Sequence, residues 1–303
     1  MATKEEIKPV VNEQLESVLT SLCCNSRLIY VVTHETARFL QDFHAVIHDA
    51  SHPFTSRRRQ ELFYWSYGLG LRPISGFKAY RTNAIISKEE EEGVIFNSYG
   101  PDNESVMAQT LIPSNALAYI YKELTKVTTD GKTDAAKRPL YRTIILGDFN
   151  YFANGDPQAV SMLKDIIEDE NIQRRLHLNF VILSDQLTIP QILAPYTEVI
   201  EFSLPDRAKV EGIIREFISA FAAKAKNRQI EVKTEYSDTE IKELTDACLG
   251  LSAYEISIQL AKGIGSANRV LDPKFLMQAK KQIVKKSGIL EFLSPDTSGK
   301  DIG

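Results

Sequence analysis

The sequence predicts an α/β fold: a five-stranded parallel sheet with helices on both faces, followed by an all-helical lid. Three observations predict it. Five short apolar, β-branched runs lie between residues 28 and 202, separated by helical or loop sequence, as a parallel sheet with crossover connections demands. After Leu204-Pro205-Asp206-Arg207 such runs cease, and only helical periodicity continues. The first run passes through a tight turn directly into an amphipathic helix, the opening unit of such a sheet.

Residues 1–26 read as a helical lead-in. Leu28-Ile29-Tyr30-Val31-Val32 is the first strand, entered from Asn25-Ser26-Arg27 and apolar enough to be buried on both faces. Thr33 is placed to cap the following helix, with Glu35 in its first turn and Phe39, Leu40, Phe43, Val46 and Ile47 at helical spacing. The second strand is Leu62-Phe63-Tyr64-Trp65-Ser66-Tyr67, preceded by Arg57-Arg58-Arg59 and closed by Gly68, Gly70 and Pro73. About 76–112 is expected to be a surface insertion, with a hairpin of Ala84-Ile85-Ile86 and Val94-Ile95-Phe96 around the acidic run Glu89-Glu90-Glu91-Glu92. A helix carries 116–124, and 127–138, rich in Thr, Asp, Gly and Lys, reads as a flexible loop.

Three strands follow, over 143–148, 179–184 and 199–202. Helical runs then occupy 210–223, 238–248, 253–264 and 273–286. The expected division is therefore an α/β domain over 27–204, a helical lid over 205–287 and a linker over 288–303.

Composition narrows the function. With 303 residues, 43% of them hydrophobic and 25% charged, the chain can bury a substantial core. A net charge of −4 offers no global attraction to nucleic acid, which leaves any such contact to a local basic patch. Three cysteines, Cys23, Cys24 and Cys248, make neither a disulfide framework nor a C-x-x-C pair, so a reducing, cytoplasmic setting is expected. No apolar run approaches the ~18 residues of a membrane span.

The chemistry turns on one position. A phosphate-binding loop needs glycines whose backbone N–H groups wrap the phosphates, a lysine, and a Ser or Thr for magnesium. G-x-x-x-x-G-K-[ST] does not occur, and its expected place after the first strand is held by Thr33-His34-Glu35-Thr36, where a glutamate repels a triphosphate. Gly131-Lys132 and Gly299-Lys300 lack the preceding strand and first glycine. Asp148 ends an apolar strand, where a Walker-B aspartate orients magnesium, but Phe149 and Asn150 follow instead of a water-activating glutamate. An Asp capping a strand end is the simpler reading. Ser184-Asp185 end the next strand, at the place of a phosphate sensor or of an ordinary turn.

His44, His48 and His52 recur at four-residue spacing without a completing cysteine, and no metal site is assigned to them. Arginines 57–59 with Phe63, Tyr64, Trp65 and Tyr67 permit a nucleic-acid stacking patch, although a half-buried strand beside a solvated turn explains them more simply. Cys23 and Cys24 read as small buried apolar residues.

Taken together, several segments resemble a known family. Leu28 to Glu35, Phe63-Tyr64-Trp65-Ser66, the strand ending Asp148-Phe149, Val181-Ile182-Leu183-Ser184, Phe202-Ser203-Leu204-Pro205-Asp206-Arg207, Leu249-Gly250-Leu251-Ser252 with Glu255, and Ile289-Leu290-Glu291-Phe292 fall in an order similar to the N-terminal half of the AAA ATPases first noted as a conserved plastid and cyanobacterial open reading frame, with relatives in bacteria and phages. The resemblance implies a sheet of AAA/P-loop type. It also implies a degenerate first module whose hydrolysing partner is a second module commonly opening Asp-Ile-Gly-Gly, like Asp301-Ile302-Gly303 here.

The resulting expectation is a non-catalytic regulatory, assembly or partner-binding module. Its partners would be AAA ATPase modules of the same or another chain, or a protein client, with neither nucleic acid nor membrane expected. No cofactor is expected in this chain; ATP and magnesium would belong to the parent protein. An ATPase with a divergent phosphate site is the alternative. It would use Asp148 and Asn150 as catalytic candidates and Thr33, His34, Thr36, Ser184 and Arg207 as nucleotide contacts. A second alternative is a DNA-transaction module resembling the delta subunit of bacterial clamp loaders, a likeness at the level of fold.

Overall fold

Alternation of side chains along the strands decides where the core sits. In β1 (Leu28–Val32), Leu28 and Tyr30 enter one core and Ile29 and Val31 the other. The same period of two divides Ile144 and Leu146 from Ile145 in β5 (Leu140–Gly147), and Phe180 and Ile182 from Val181 and Leu183 in β6 (His177–Ser184). Strands apolar on both sides must be covered on both sides, and they are. The computed structural model describes residues 13–47, 59–77, 94–96, 106, 108–124, 140–175, 177–228, 233–265 and 270–286.

The sheet has the order β4-β3-β2-β5-β6-β1-β7, completed by β2 (Arg59–Ser66), β3 (Gly70–Phe77), β4 (Val94–Phe96) and β7 (Thr197–Glu201). Neighbours from β2 to β7 run parallel, which gives the five-stranded parallel core that the sequence predicts. Helices α1 (Glu13–Cys23) and α2 (Thr36–Ile47) supply apolar residues to one face. On the other lie α3 (Pro113–Tyr119) and the π-helical turn Ile120–Leu124 that continues it, α4 (Phe149–Ala153), α5 (Pro157–Glu168) and α6 (Glu170–Arg175).

One antiparallel strand, β3, was not foreseen, and the strand expected at Val94–Phe96 pairs with it. Gly68 and Gly70 make a hairpin turn instead of an exit: Gly70, at φ 66°, starts β3, which pairs back on β2. Part of the segment expected as a surface insertion is also built into the sheet. Val94–Phe96 pairs with Ile74, Gly76 and Phe77, and the buried Thr110 accepts the Trp65 indole N–H at 2.6 Å through its carbonyl. Its hydroxyl accepts the Leu71 N–H at 2.8 Å. Residues 84–86 and the loop 127–138 lie outside the described residues.

Cys23 and Cys24 are exposed, not buried. The buried stripe of α1 is Leu15, Val18, Leu19 and Leu22, and one further residue turns the chain about 100° away from it.

The chain divides between Ser203 and Leu204 into two units. In the second, α7 (Arg207–Arg228), α8 (Asp238–Cys248), α9 (Ala253–Gly265) and α10 (Pro273–Lys286) enclose a core including Val210, Ile214, Leu244, Ile256, Leu260 and Leu276. Two S-x-x-E capping boxes open its helices. Ser237 and Glu240 satisfy each other's backbone N–H groups at the start of α8, as Ser252 and Glu255 do at α9.

Candidate functional site

In this topology β1 and β6 are neighbours whose outgoing connections leave for opposite faces. The chain after β1 enters α2 on one side, while Ile189, Leu193 and Tyr196 after β6 pack on the other. Such a switch point opens a crevice at the carboxyl ends of the strands, where α/β proteins bind ligands. Thr33, Asp148, Ser184 and Asp185 all lie along that edge.

The β1–α2 connection is three residues, Thr33, His34 and Glu35. Thr33 N–H extends the β1–β6 ladder by donating to the Ser184 carbonyl at 2.7 Å. Glu35 N–H donates to Thr33 Oγ1 at 2.9 Å, closing a local turn. Glu35 is only 4% exposed, and its carboxylate receives Nε–H of Arg38, itself 8% exposed, at 2.8 Å. Arg38 in turn donates to the Ser203 carbonyl and lies 4.3 Å over the Phe202 ring. One arginine thus ties the start of α2 to the chain leaving β7. His34 is exposed and Thr36, the first residue of α2, half-buried.

The other exits are acidic and aromatic. Asp148 takes a left-handed conformation, φ 54°, and its N–H donates to the Leu183 carbonyl at 2.8 Å. Partial burial and the charge of Asp185 raise its carboxyl from the ordinary value. Tyr151 donates its hydroxyl to Asp185 at 2.6 Å; that bond, with some desolvation and the nearby carboxylates, pushes the phenol up to about 12. Tyr64 also reaches about 12, through burial and then the Asp148 charge, with Arg72 opposing. Gly147 makes room for it: a Cβ there would stand 2.4 Å from the Tyr64 hydroxyl oxygen. Tyr30, buried beneath the β6 exit, donates to the Gln186 carbonyl at 2.6 Å and accepts the Thr188 N–H at 3.3 Å.

Of the residues singled out in the sequence, Thr33 and Ser184 meet through the backbone bond above, and Asp148 faces Asp185. Asn150 points elsewhere in function: it is 3% exposed, and its Oδ1 accepts no hydrogen bond among the described residues. Arg207 lies at the start of α7, paired with Asp246 at 2.5 Å within the helical unit. His44 is half-buried, while His48 and His52 lie outside the described residues; among the described residues no group of three metal-ligating side chains occurs. Trp65 is fully buried, so the aromatic run is a strand of the core. The sequence reading missed Arg38, although its i,i+3 spacing from Glu35 was there to be used. It also missed Tyr30 and Tyr151 and assigned Tyr64 no place beside Asp148, which only the pairing of β1, β2, β5 and β6 reveals.

The profile of the SpoVK-like AAA ATPase N-terminal domain matches residues 11–202, and that of the SpoVK-like AAA ATPase second domain matches residues 208–287. The chain belongs to the SpoVK-like AAA ATPases. A curated relative, the uncharacterized AAA domain-containing protein ycf46 of Gracilaria tenuistipitata var. liui, is 25% identical over 169 residues. That match covers 54% of this family member and 31% of the relative, about a third of its length. Among solved structures, C. elegans PCH-2 is similar at a TM-score of 0.49 and 12% identity, over 91% of this chain and 68% of that one. The FIGL-1 AAA domain in complex with ADP is similar at 0.46 and 8%, over 93% and 86%. The chain has an α/β unit followed by a helical one, as the sequence predicts. No helix among the described residues is long and apolar enough to cross a membrane.

Proposed function

We propose that this chain is a non-catalytic AAA module, which binds protein partners and leaves ATP hydrolysis to another module of the parent protein. The observation that carries the reading is the β1–α2 turn. A phosphate cradle needs free backbone N–H groups, glycine-like close approach and a positive charge. Here two of three amides are already bonded, the turn has no glycine or lysine, and the Arg38 charge is spent on Glu35. The residues therefore do not fit a triphosphate, and no step through ATP or magnesium is derived. The acidity of the neighbouring exits, where Asp148 and Asp185 already repel each other, supports the same reading.

Protein partners, either AAA modules of the same or another chain or a client, are the remaining use for a complete fold with an inert nucleotide edge. Titration of the purified chain with ATP and magnesium in a calorimeter is expected to give no saturable heat. Tight magnesium-dependent binding that disappears in Asp148→Ala would overturn the proposal in favour of a divergent nucleotide site.

A further inference from the structure

We propose that Cys23 and Cys24 form a thiol–disulfide couple at the end of α1, which a low-molecular-weight disulfide closes into a ring and whose closure undoes the helix cap that joins α1 to β1. The proposal is independent of the nucleotide reading, since the pair lies on the segment before β1 and not at the strand exits.

Cysteine is among the side chains most often buried, and a buried structural cysteine is inert. Cys248 behaves so: it lies in the core of the helical unit, and burial pushes its thiol up to about 11. Cys23 and Cys24 do the opposite. Both are exposed and carry thiols, while the buried stripe of α1 is made by Leu15, Val18, Leu19 and Leu22. Packing does not explain the pair, which leaves reactivity as the property that sets it apart. Two adjacent thiols have a reaction that a single one lacks. One attacks a disulfide reagent to give a mixed disulfide, and its neighbour then displaces the remaining reagent thiol. In all, two S–H bonds break, one S–S bond forms, and the two protons and two electrons convert the reagent disulfide to two thiols.

The backbone sets the character of the couple. Consecutive Cα atoms stand about 3.8 Å apart, short of the roughly 4.4–6.8 Å that disulfides span, so the ring is strained, and strained, exposed disulfides are the labile ones. A helix end also holds both residues. Cys24 N–H donates to the Thr20 carbonyl at 2.9 Å, Asn25 takes the left-handed conformation at φ 62°, and Ser26 N–H returns to the Ser21 carbonyl at 2.9 Å. Successive side chains on a helix diverge by about 100°, so the two thiols are turned apart while this cap stands, and closure has to open it. The serines on either side carry the effect further. Ser21 and Ser26 both donate to the Glu198 carboxylate of β7, at 2.7 and 2.6 Å. Opening the cap therefore loosens the tie between the end of α1 and the edge of the sheet.

The test treats the reduced full chain with oxidised glutathione, follows the intact mass, maps the modified peptide, and compares backbone-amide hydrogen exchange of the two forms. Expected is loss of two hydrogens at Cys23 and Cys24, reversed by dithiothreitol, with Cys248 untouched and with exchange of the Cys24, Asn25 and Ser26 amides at least tenfold faster in the oxidised form. Cys23→Ser and Cys24→Ser should each stop at one glutathione adduct. Asn25→Gly, which favours the left-handed cap residue, should lower the ring-closed fraction severalfold; unchanged exchange in β1 and β6 reports that each variant is folded. The proposal is overturned if the pair does not react, if the unmutated chain accumulates only glutathione adducts, if Cys248 reacts as fast as the pair, if disulfide-linked dimers form in place of the ring, or if ring closure leaves exchange at the end of α1 unaltered.

Discussion

Two strand exits of one sheet each present a carboxylate, and they treat it in opposite ways. At β1, Glu35 is buried, paired with Arg38, and tied through that arginine to Ser203 and Phe202. At β5, Asp148 is open to solvent, lacks an ion-pair partner among the described residues, and feels Asp185. An acidic residue near an expected phosphate site therefore says little until its partner is known. Glu35 is structural because its charge is answered, and Asp148 is available because its charge is not.

The largest expected effect tests the first half of that contrast. Glu35→Ala leaves the Arg38 charge buried and unpaired, and should cost about 3–5 kcal/mol in urea unfolding. Replacing both, Glu35→Leu with Arg38→Met, should recover most of the loss. A single-variant loss no larger than that of Asp148→Ala would erase the distinction between the two exits.

Next comes the packing that holds the β5 exit open. Gly147→Ala forces a methyl group toward the Tyr64 hydroxyl and should cost about 1–3 kcal/mol. Adding Tyr64→Phe removes that oxygen and should return part of the stability. If it returns none, backbone conformation and not the tyrosine demands glycine here.

A smaller gain is expected from Asp148→Asn. Its carboxyl is raised in the folded chain, so at neutral pH ionisation opposes folding, and stability falls as pH rises through the folded-state value. Asparagine keeps the left-handed backbone acceptable and removes the repulsion, for a gain of up to about 1 kcal/mol after solvent screening. A thermal melt that drops would mean that Asp148 has a stabilising partner.

The finest test compares carboxylates by NMR titration. Glu240, held by Lys233 and by the Ser237 N–H and hydroxyl, should titrate near 2, from an ordinary 4.5, whereas Asp148 should titrate above its ordinary value. The depressed Glu240 contributes stability that is present above its unfolded value and is lost as pH falls toward about 2. Similar midpoints for the two would remove the physical basis of the comparison.

Much of the fold was legible because its signals are local. Leu28 to Val32, the run around Phe180, and the S-x-x-E boxes at Ser237 and Ser252 each carry strand or helix instructions within a few residues. The β2–β3 hairpin was not legible, because glycines at 68 and 70 mark a turn equally well whether the chain returns or departs. The exposure of Cys23 and Cys24 required helical phase and not hydropathy. At the candidate site, the absence of a glycine-lysine loop after β1 was plain in the sequence. The environment of Asp148 was not, since Tyr64, Asp185 and Tyr151 reach it only through strand pairing over 80 residues or through a helix of five residues.

The three-residue length of the β1–α2 turn has a consequence for how such a module can change. Substitutions act on side chains, but the route from Val32 to Thr36 is set by the ladder to Ser184 at one end and by the helix start at the other. Replacing Glu35 with lysine, or His34 with glycine, would alter the charge without lengthening the path. Building a phosphate-wrapping loop here would require inserted residues and release of the Arg38 tie to Ser203 in the same step. A turn of this length is therefore closed to such a change by point mutation alone.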